Sequence, residues 1–281
     1  MSTVARARVD EVLADGELER PRRARVIGVT GSPGAGKSTL IGRLVAARLK
    51  RVGTVAVLAV DPTSPNSDGS LLGDRIRMGP ISEDPRVFIR SLPSRSAEDG
   101  LTDNLAELVA CLDSLGFDEI VVETVGAGQT AYGIRAIADI EVLVLAPGAG
   151  DYVQAMKAGI LETADVFVVN KADLPGADRV VADLMSTAGI GRPARPVVQV
   201  RADELRGIDD LDVLLEQEFA RPLSPEERAK RVRKRLQYRV RSLLLRSIDE
   251  TLRSIPADLW SGSVASAYAR VVATLSRTTR P

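Results

Sequence analysis

The sequence predicts a doubly wound α/β fold around a mainly parallel sheet, and three observations lead to this prediction. Short β-branched runs alternate with longer helical stretches along most of the 281-residue chain. Most of these runs are continuously apolar, which suits parallel strands buried on both faces. A glycine-rich segment joins the first run to the first helical stretch. In such folds ligands bind beyond the carboxyl ends of the strands, and the motifs below lie mostly at those ends.

The first of these observations, the β-α-β-α rhythm, defines the elements. Helical patterns over residues 37–52 and 101–115 lie between apolar runs. The predicted strands are 25–30, 54–60, 86–90, 119–123, 141–146, 166–170 and 197–200.

Composition excludes several kinds of chemistry. Histidine is absent and Cys111 is the only cysteine, which excludes Ser-His-Asp triads, histidine bases, His-ligated metals and internal disulfides. The 38 basic and 38 acidic residues cancel, so no global field favours nucleic acid or a membrane as the main partner. No apolar run is long enough for a transmembrane helix and no secretory signal is visible, so we expect a cytoplasmic protein.

A phosphate-binding loop follows the first strand. Its glycines let backbone N–H groups turn towards phosphate oxygens, and the start of the following helix adds positive potential. The lysine is expected to reach the β- and γ-phosphates, the serine after it to bind Mg²⁺, and the threonine to contact the α-phosphate. The residues that match the pattern G-x-x-x-x-G-K-[ST] and its next position are Gly31, Ser32, Pro33, Gly34, Ala35, Gly36, Lys37, Ser38 and Thr39.

A motif for reading a purine base closes the strand 166–170. It consists of Asn170, Lys171 and, two positions later, Asp173. The Asp173 carboxylate can accept hydrogen bonds from guanine N1–H and the exocyclic amine, whereas adenine offers no such pair of donors. A buried Asp173 would then be left unpaired, which is costly, so the motif predicts guanine over adenine. Lys171 is expected to stack on the base, and a further contact is expected from the backbone near Arg201 and Ala202.

Carboxylates at strand ends are candidates for the metal. Asp61 ends a strand that we expect next to the phosphate-loop strand, and Glu123 ends the strand 119–123. Asp74 lies in a glycine-flanked segment and is a third candidate. Gly126 allows the backbone to approach a γ-phosphate, and Gln129 is a candidate for orienting the attacking water. The catalytic set predicted on this basis is Lys37, Asp74, Glu123 and Gln129, and the metal set is Ser38, Asp61, Asp74 and Glu123.

The C-terminal quarter of the chain is predicted to be helical. Ser224, Pro225 and Glu227 provide an N-cap, a first-turn proline and a capping box. The helix that they start is expected to run to about Ser254, and a second helix is expected over 257–275. Over residues 221–256 there are 11 basic and 4 acidic residues, which fits either a solvated face or a partner surface.

Taken together, these motifs resemble the MeaB/ArgK family, P-loop GTPases that act as chaperones of adenosylcobalamin-dependent acyl-CoA mutases. The resemblance covers roughly residues 26–215 and follows the family's motif order. It implies a P-loop GTPase domain over 24–220, a short N-terminal helical arm over 1–23 and a C-terminal dimerisation arm over 221–281. It also implies GTP or GDP with Mg²⁺ as the bound ligands, a homodimer, and a mutase-sensing loop over 150–157.

This chain departs from the family pattern at several positions. Residues 91–100 lack the family's glycine-rich pattern, Ile76 stands where threonine is usual, and Arg201 with Ala202 replaces a Ser-Ala pair. The segment before the phosphate loop is also short. These departures leave nucleotide binding intact but leave the client open, so that another cobalamin-dependent acyl-CoA mutase is an alternative to methylmalonyl-CoA mutase.

Three other functions are weighed against the chaperone. A metal-insertion GTPase shares the fold but needs histidine and cysteine ligands, and this chain has no histidine and one cysteine. A transport-associated kinase or ATPase would need an acceptor pocket and adenine selectivity, against Asp173. A non-enzymatic adaptor, in which GTP only sets conformation, stays open because the assignment of Gln129 as the water-positioning residue rests on its place in the chain alone.

Overall fold

A seven-stranded parallel sheet forms the centre of the computed structural model, with strand order β3-β2-β4-β1-β5-β6-β7. The structure describes residues 22–61, 78–93, 104–124, 131–148, 160–188, 195–256, 260 and 263–278. Every pair of neighbouring strands is parallel, as the apolar runs predict. The strands are β1 Arg25–Gly31, β2 Val55–Asp61, β3 Val87–Pro93, β4 Glu119–Glu123, β5 Ile140–Leu145, β6 Val166–Asn170 and β7 Val197–Val200.

Helices cover the sheet and extend beyond it. Within the described residues they are α1 Lys37–Arg48, α2 Leu105–Ser114, α3 Ala131–Ile137, α4 Ala177–Ala188, α5 Ile208–Ala220, α6 Pro225–Ser254 and α7 Val264–Thr278. Short 3₁₀ helices span Gly79–Glu83 and Ile160–Glu162. None of the described helices is long and apolar enough to cross a membrane.

The core lies on both faces of the sheet, because alternate residues of each strand point to opposite sides. Ile27 and Val29 of β1 pack in one cluster with α1 and α5, whereas Val26 packs in another cluster with α2 and α3. These side chains are at most 1% exposed. Two-sided burial explains why most of the strands are continuously apolar in their central residues rather than alternating.

One expectation about strand order is wrong. Asp61 was expected on a strand next to the phosphate-loop strand, but β4 lies between β1 and β2. The register places Glu123 opposite both Val29 of β1 and Ala59 of β2. Strand β4 pairs with β1 along one edge and with β2 along the other, so it separates these two strands. Glu123, and not Asp61, is therefore carried by the strand beside the phosphate loop.

A buried ion cluster holds α1 and α5 to the amino end of the sheet. Arg48 is fully buried, and its Nε donates to Glu119 Oε2 at 2.9 Å. Its Nη1 donates to Asp212 Oδ1 on α5 at 2.8 Å. Losing one partner of such a group would leave a charge unpaired in the interior, which costs about 3–5 kcal/mol. This cluster lies at the edge of the sheet opposite the phosphate loop.

The capping box predicted for α6 is confirmed. Glu227 N donates to Ser224 Oγ at 3.1 Å, and Ser224 N donates to Glu227 Oε2 at 2.8 Å. The helix runs to Ser254 as expected, and α7 begins at Val264 rather than at residue 257. Both helices lie in the segment 221–281 that was predicted as the C-terminal arm. That this segment is a separate domain stays a prediction.

Asp139 docks α6 onto the rest of the fold. Its Oδ1 accepts from Arg235 Nη2 at 2.5 Å, and its backbone oxygen accepts from Arg231 Nη1 at 3.0 Å. Arg22 Nη2 donates to the other carboxylate oxygen at 2.6 Å. One acid just before β5 thus joins the segment before β1 to the first half of α6.

Candidate nucleotide-binding site

The predicted binding motifs meet at one edge of the sheet. All strands are parallel, so their carboxyl ends lie side by side. The phosphate loop follows β1, Glu123 ends β4, Asn170 ends β6, and Arg201 follows β7. This topology brings residues as far apart in the chain as Gly31 and Arg201 to the same edge.

The glycines of the phosphate loop are required by its backbone. Gly34 and Gly36 have φ of 81° and 86°, in the left-handed region that disfavours residues with a Cβ. A Cβ on Gly31 would lie 2.1 Å from the backbone oxygen of Val144 on β5. The loop therefore packs directly against the neighbouring strand, and α1 begins at Lys37 immediately after it.

Two polar side chains are buried in this loop. Lys37 Nζ donates to the backbone oxygens of Gly31 and Ser32 at 2.9 and 3.1 Å. The Ser32 hydroxyl is buried and has no hydrogen-bond partner among the described residues. A buried polar atom without a partner is costly, and a phosphate oxygen is an acceptor of the right chemistry for it. The loop thus fits a phosphate group.

Oxygen atoms that suit a hard cation converge beside the loop. Ser38 Oγ donates to Glu123 Oε1 at 2.9 Å, which links the start of α1 to the end of β4. A hydroxyl and a carboxylate are ligands that Mg²⁺ accepts, with nucleotide phosphates and water completing its shell. Among the described residues no three His, Cys, Asp or Glu side chains come together as a group that could hold a metal ion.

Asn170 joins the phosphate loop to the loop after β7. Its Nδ2 donates to the Ala35 oxygen at 2.8 Å, and its Oδ1 accepts from Ala202 N at 3.3 Å. A Cβ on Gly36 would lie 2.4 Å from that Nδ2, so Gly36 is needed for this contact. Lys171 Nζ donates to the Gly34 oxygen at 2.9 Å, and its φ of 54° is left-handed. The base motif and the phosphate loop therefore form one connected unit.

Asp173 is not buried, contrary to the expectation from the motif. Its side chain is 37% exposed, and its Oδ1 lies 3.5 Å from Arg201 Nε. The residue follows the end of β6 in a turn closed by a bond from Leu174 N to the Lys171 oxygen, which places it at the surface. The predicted preference for guanine would therefore require the bound base itself to shield Asp173 from water, because the acid is not already buried.

A family model described as "Methylmalonyl Co-A mutase-associated GTPase MeaB" matches residues 4–256. The chain belongs to the MeaB family of P-loop GTPases. A protein of Pyrococcus abyssi named as a GTPase is 41% identical over 258 residues, which cover 88% of this chain and 75% of that protein. The mouse "Methylmalonic aciduria type A homolog, mitochondrial" is 37% identical over 217 residues, covering 73% of this chain and 52% of the mouse protein. The MeaB-family chain thus spans about half the length of that mouse relative.

Solved structures extend the likeness to the fold. A structure described as a LAO/AO transport system kinase matches 98% of this chain and 91% of its own, with a TM-score of 0.63 and 22% identity. HypB from Helicobacter pylori, solved in complex with nickel, matches 80% of this chain and 97% of its own, with a TM-score of 0.51 and 17% identity. At these identities the MeaB-family protein shares the P-loop fold with both.

Several predicted site residues of the MeaB-family chain lie outside the described residues. These are Asp74, Gly126 and Gln129, together with the loop 150–157. Asp61 is the last residue of β2, and its side chain lies outside the described part of the structure. Their predicted roles therefore stay predictions.

Sequence reasoning missed one residue that contacts this site. Glu204 binds Arg201 Nη2, and Arg201 in turn contacts Asp173. The only sequence signal was an acid three positions after a base in a short loop, a spacing common to many surface pairs. In the structure Arg201 also contacts Asp173, and this contact distinguishes the Arg201–Glu204 pair from other surface pairs at the same spacing.

Proposed function

We propose that this MeaB-family protein binds GTP with Mg²⁺, hydrolyses it, and serves as a chaperone of an adenosylcobalamin-dependent acyl-CoA mutase. Methylmalonyl-CoA mutase or a related mutase is the proposed client. One observation carries the nucleotide part: Asn170 bonds both Ala35 in the phosphate loop and Ala202 in the loop after β7. A single ligand with a phosphate end and a base end fits such a connected pair of loops.

The phosphates would be held by the loop amides and by Lys37. Lys37 Nζ already lies over the loop oxygens of Gly31 and Ser32, so a small movement transfers its charge to a phosphate. Thr39, at the exposed start of α1, is assigned to the α-phosphate. The Ser32 hydroxyl supplies one more donor that needs an acceptor. Catalysis of phosphoryl transfer is mostly positioning and charge stabilisation, which is what these groups provide.

The metal would be held by Ser38 and Glu123, whose oxygens lie 2.9 Å apart, with Asp61 and Asp74 as the further predicted ligands. Mg²⁺ bound there would neutralise charge that develops on the phosphate oxygens. Gly126 and Gln129 follow Glu123 closely in the chain, so the same loop would carry the γ-phosphate contact and the water-orienting amide.

Hydrolysis is expected to be slow without a partner. The chain has no histidine to act as a base, and the candidate for orienting water is an amide, which cannot take the proton by itself. GTPases of this class turn over slowly until a partner completes the site. This requirement supports a role in which the client controls hydrolysis, and with it cofactor loading and protection of the mutase.

The client is proposed from the names of the relatives. The family description names an association with methylmalonyl-CoA mutase, and the mouse relative is named after methylmalonic aciduria. A single cysteine in the chain suits a reducing compartment, so the proposed site of action is the cytoplasm.

The test is a comparison of GTP hydrolysis with and without the methylmalonyl-CoA mutase of the same organism. We expect a rate of phosphate release that is higher by at least about tenfold with the mutase, because the partner completes the catalytic site. Lys37→Ala should hydrolyse GTP at background rate in both conditions. A rate that no candidate mutase changes would contradict the chaperone role, and a Lys37→Ala protein with normal hydrolysis would contradict the nucleotide site.

We also propose that α6 and α7 form a homodimer interface, with a second copy of this chain as the occupant. Large apolar side chains are exposed at four-residue steps along α6, including Val232 and Leu236 at 62% each, and along α7, including Tyr268 at 70%. Large contiguous apolar patches are rare on monomeric proteins. A continuous stripe on a 30-residue helix offers the same patch to each subunit, as a two-fold interface requires.

A further inference from the structure

Arg201 occupies a position next to the residue that is predicted to read the base. It follows β7 directly, and its Nε lies 3.5 Å from Asp173 Oδ1 while its Nη2 binds Glu204. The Nε atom is buried and has no hydrogen-bond partner among the described residues, so its attraction to Asp173 is an ion pair.

The backbone around Arg201 is firmly held. Arg201 N donates to the Arg206 oxygen at 3.0 Å, and Arg206 N donates back to the Arg201 oxygen at 3.2 Å. A Cβ on Gly207 would lie 2.2 Å from the Gln199 oxygen, so the loop packs closely on the end of β7. The loop thus holds the backbone of Arg201, and Glu204 holds the guanidinium at the end of its side chain.

Asp173 lies in an exposed turn, and its carboxylate must present two acceptor positions to guanine N1–H and the exocyclic amine. An exposed side chain loses rotational freedom when it binds, which lowers affinity. A carboxylate has about four acceptor positions, and the contact with Arg201 is an ion pair rather than a hydrogen bond, so these positions stay available to the base. A fixed cation beside the carboxylate therefore reduces the ordering that the base must impose.

We propose that Arg201 is a positioning residue for guanine recognition, which holds the Asp173 carboxylate in place before the base arrives. The guanidinium contacts one oxygen of Asp173, is itself held by Glu204, and so favours the orientation of the carboxylate that guanine requires. Arg201 acts through Asp173 and does not itself read the base. This inference rests on the proposed binding of a guanine nucleotide.

The test measures the affinities of GDP and IDP by calorimetry for the full chain and its variants. IDP lacks the exocyclic amine, so the ratio of the two affinities reports the second hydrogen bond to Asp173. For Arg201→Ala we expect GDP to bind roughly two- to fivefold more weakly, the range measured for exposed ion pairs, and the GDP/IDP ratio to fall. Glu204→Gln should give a smaller loss in the same direction.

Arg206→Ala is the matched control. Arg206 lies in the same loop and its Nε is 3.6 Å from Glu204 Oε2, but it is paired with Glu204 and not with Asp173. We expect GDP affinity and the GDP/IDP ratio to match the unmodified chain in this variant. In an Asp173→Asn background, Arg201→Ala should change neither quantity further, because the group that it positions is gone. Thermal unfolding identifies any variant that fails to fold.

The contrary results separate the positioning role from the proposed function. Equal or tighter GDP binding by Arg201→Ala, or an equal loss in Arg206→Ala, overturns the positioning role. So does a further loss when Arg201→Ala is added to Asp173→Asn. Failure of the unmodified chain to bind GDP overturns the proposed function instead, whatever the variants do.

Discussion

At the scale of single residues, the nucleotide site depends on contacts that tolerate little change. Gly36 has a left-handed φ and no room for a Cβ beside Asn170 Nδ2. Asn170 uses both ends of its amide to bond two loops. Asp173, in contrast, is partly exposed, and its carboxylate has an ion pair with Arg201 at 3.5 Å. The phosphate end of the site is therefore rigidly specified, and the base end depends on the ligand for completion.

Asp173→Asn tests the base-reading role. The asparagine amide would present an N–H₂ donor to the guanine amine, which is also a donor, so the hydrogen bond made by the carboxylate would be lost. Xanthine carries a carbonyl oxygen in place of that amine, and this oxygen can accept a hydrogen bond from the amide. We expect GTP affinity to fall by about tenfold or more, since about 1.4 kcal/mol suffices for that change, and xanthosine triphosphate to bind more tightly than GTP. Competition with a labelled nucleotide measures both.

The control for this substitution is Asp210→Asn, which changes an exposed acid at the start of α5. Its nucleotide preference should match that of the unmodified chain. An unchanged preference for GTP in Asp173→Asn would remove Asp173 from base recognition.

At the scale of secondary-structure elements, the amino end of the sheet carries its own buried charges. Glu141 on β5 is fully buried, and burial raises the pKa of its carboxyl to about 7, while Arg135 opposes the rise and Asp165 adds to it. A buried acid with a raised pKa binds a proton more readily in the folded than in the unfolded state. The contribution of Glu141 to folding stability therefore falls as pH rises from the ordinary carboxyl value through 7.

Glu141→Gln should remove this pH dependence. Relative to the unmodified chain, we expect the variant to gain unfolding free energy progressively between about pH 5 and 8. The upper limit is about 3 kcal/mol, because each unit of pKa shift corresponds to about 1.36 kcal/mol. Urea unfolding at several pH values measures the difference, with Glu83→Gln at an exposed position as the control. A difference that stays constant with pH would show that Glu141 is not the titrating group.

At the scale of the whole molecule, the apolar stripe on α6 and α7 is the feature that bears on assembly. Of the large apolar side chains that are exposed among the described residues, most lie on these two helices and the short connection between them: Val232, Leu236, Val240, Leu244, Leu245, Ile248, Leu252, Trp260, Val264, Tyr268 and Val272. Arg231 and Arg235 bond to Asp139, so the first half of α6, which carries part of the stripe, is held against the sheet.

The double substitution Leu236→Glu with Leu244→Glu should convert a dimer into a monomer. Two charges per subunit would have to be buried in the interface, and each buried ion costs several kcal/mol. Light scattering after size exclusion gives the mass, and GDP affinity should not change. Arg233→Glu, an exposed position on the same helix, is the charge control. An unmodified chain that is monomeric at micromolar concentration would contradict the proposed interface.

Local chemistry in the sequence determined much of the fold and of the candidate site. The strands follow from apolar runs, the phosphate loop from its glycines and Lys37, and the start of α6 from Ser224 and Glu227, because each signal lies within a few adjacent residues. Such features do not depend on what the rest of the chain does. The parallel sheet then places the ends of the strands at one edge.

Tertiary structure alone decided the rest. The position of β4 between β1 and β2, the Arg48 cluster and the pairing of Arg201 with Asp173 each join residues that are far apart in the chain. The exposure of Asp173 likewise depends on where its turn lies after β6 and not on the motif around it. Contacts between distant segments are set by the packing of whole elements, so no local pattern of residues encodes them.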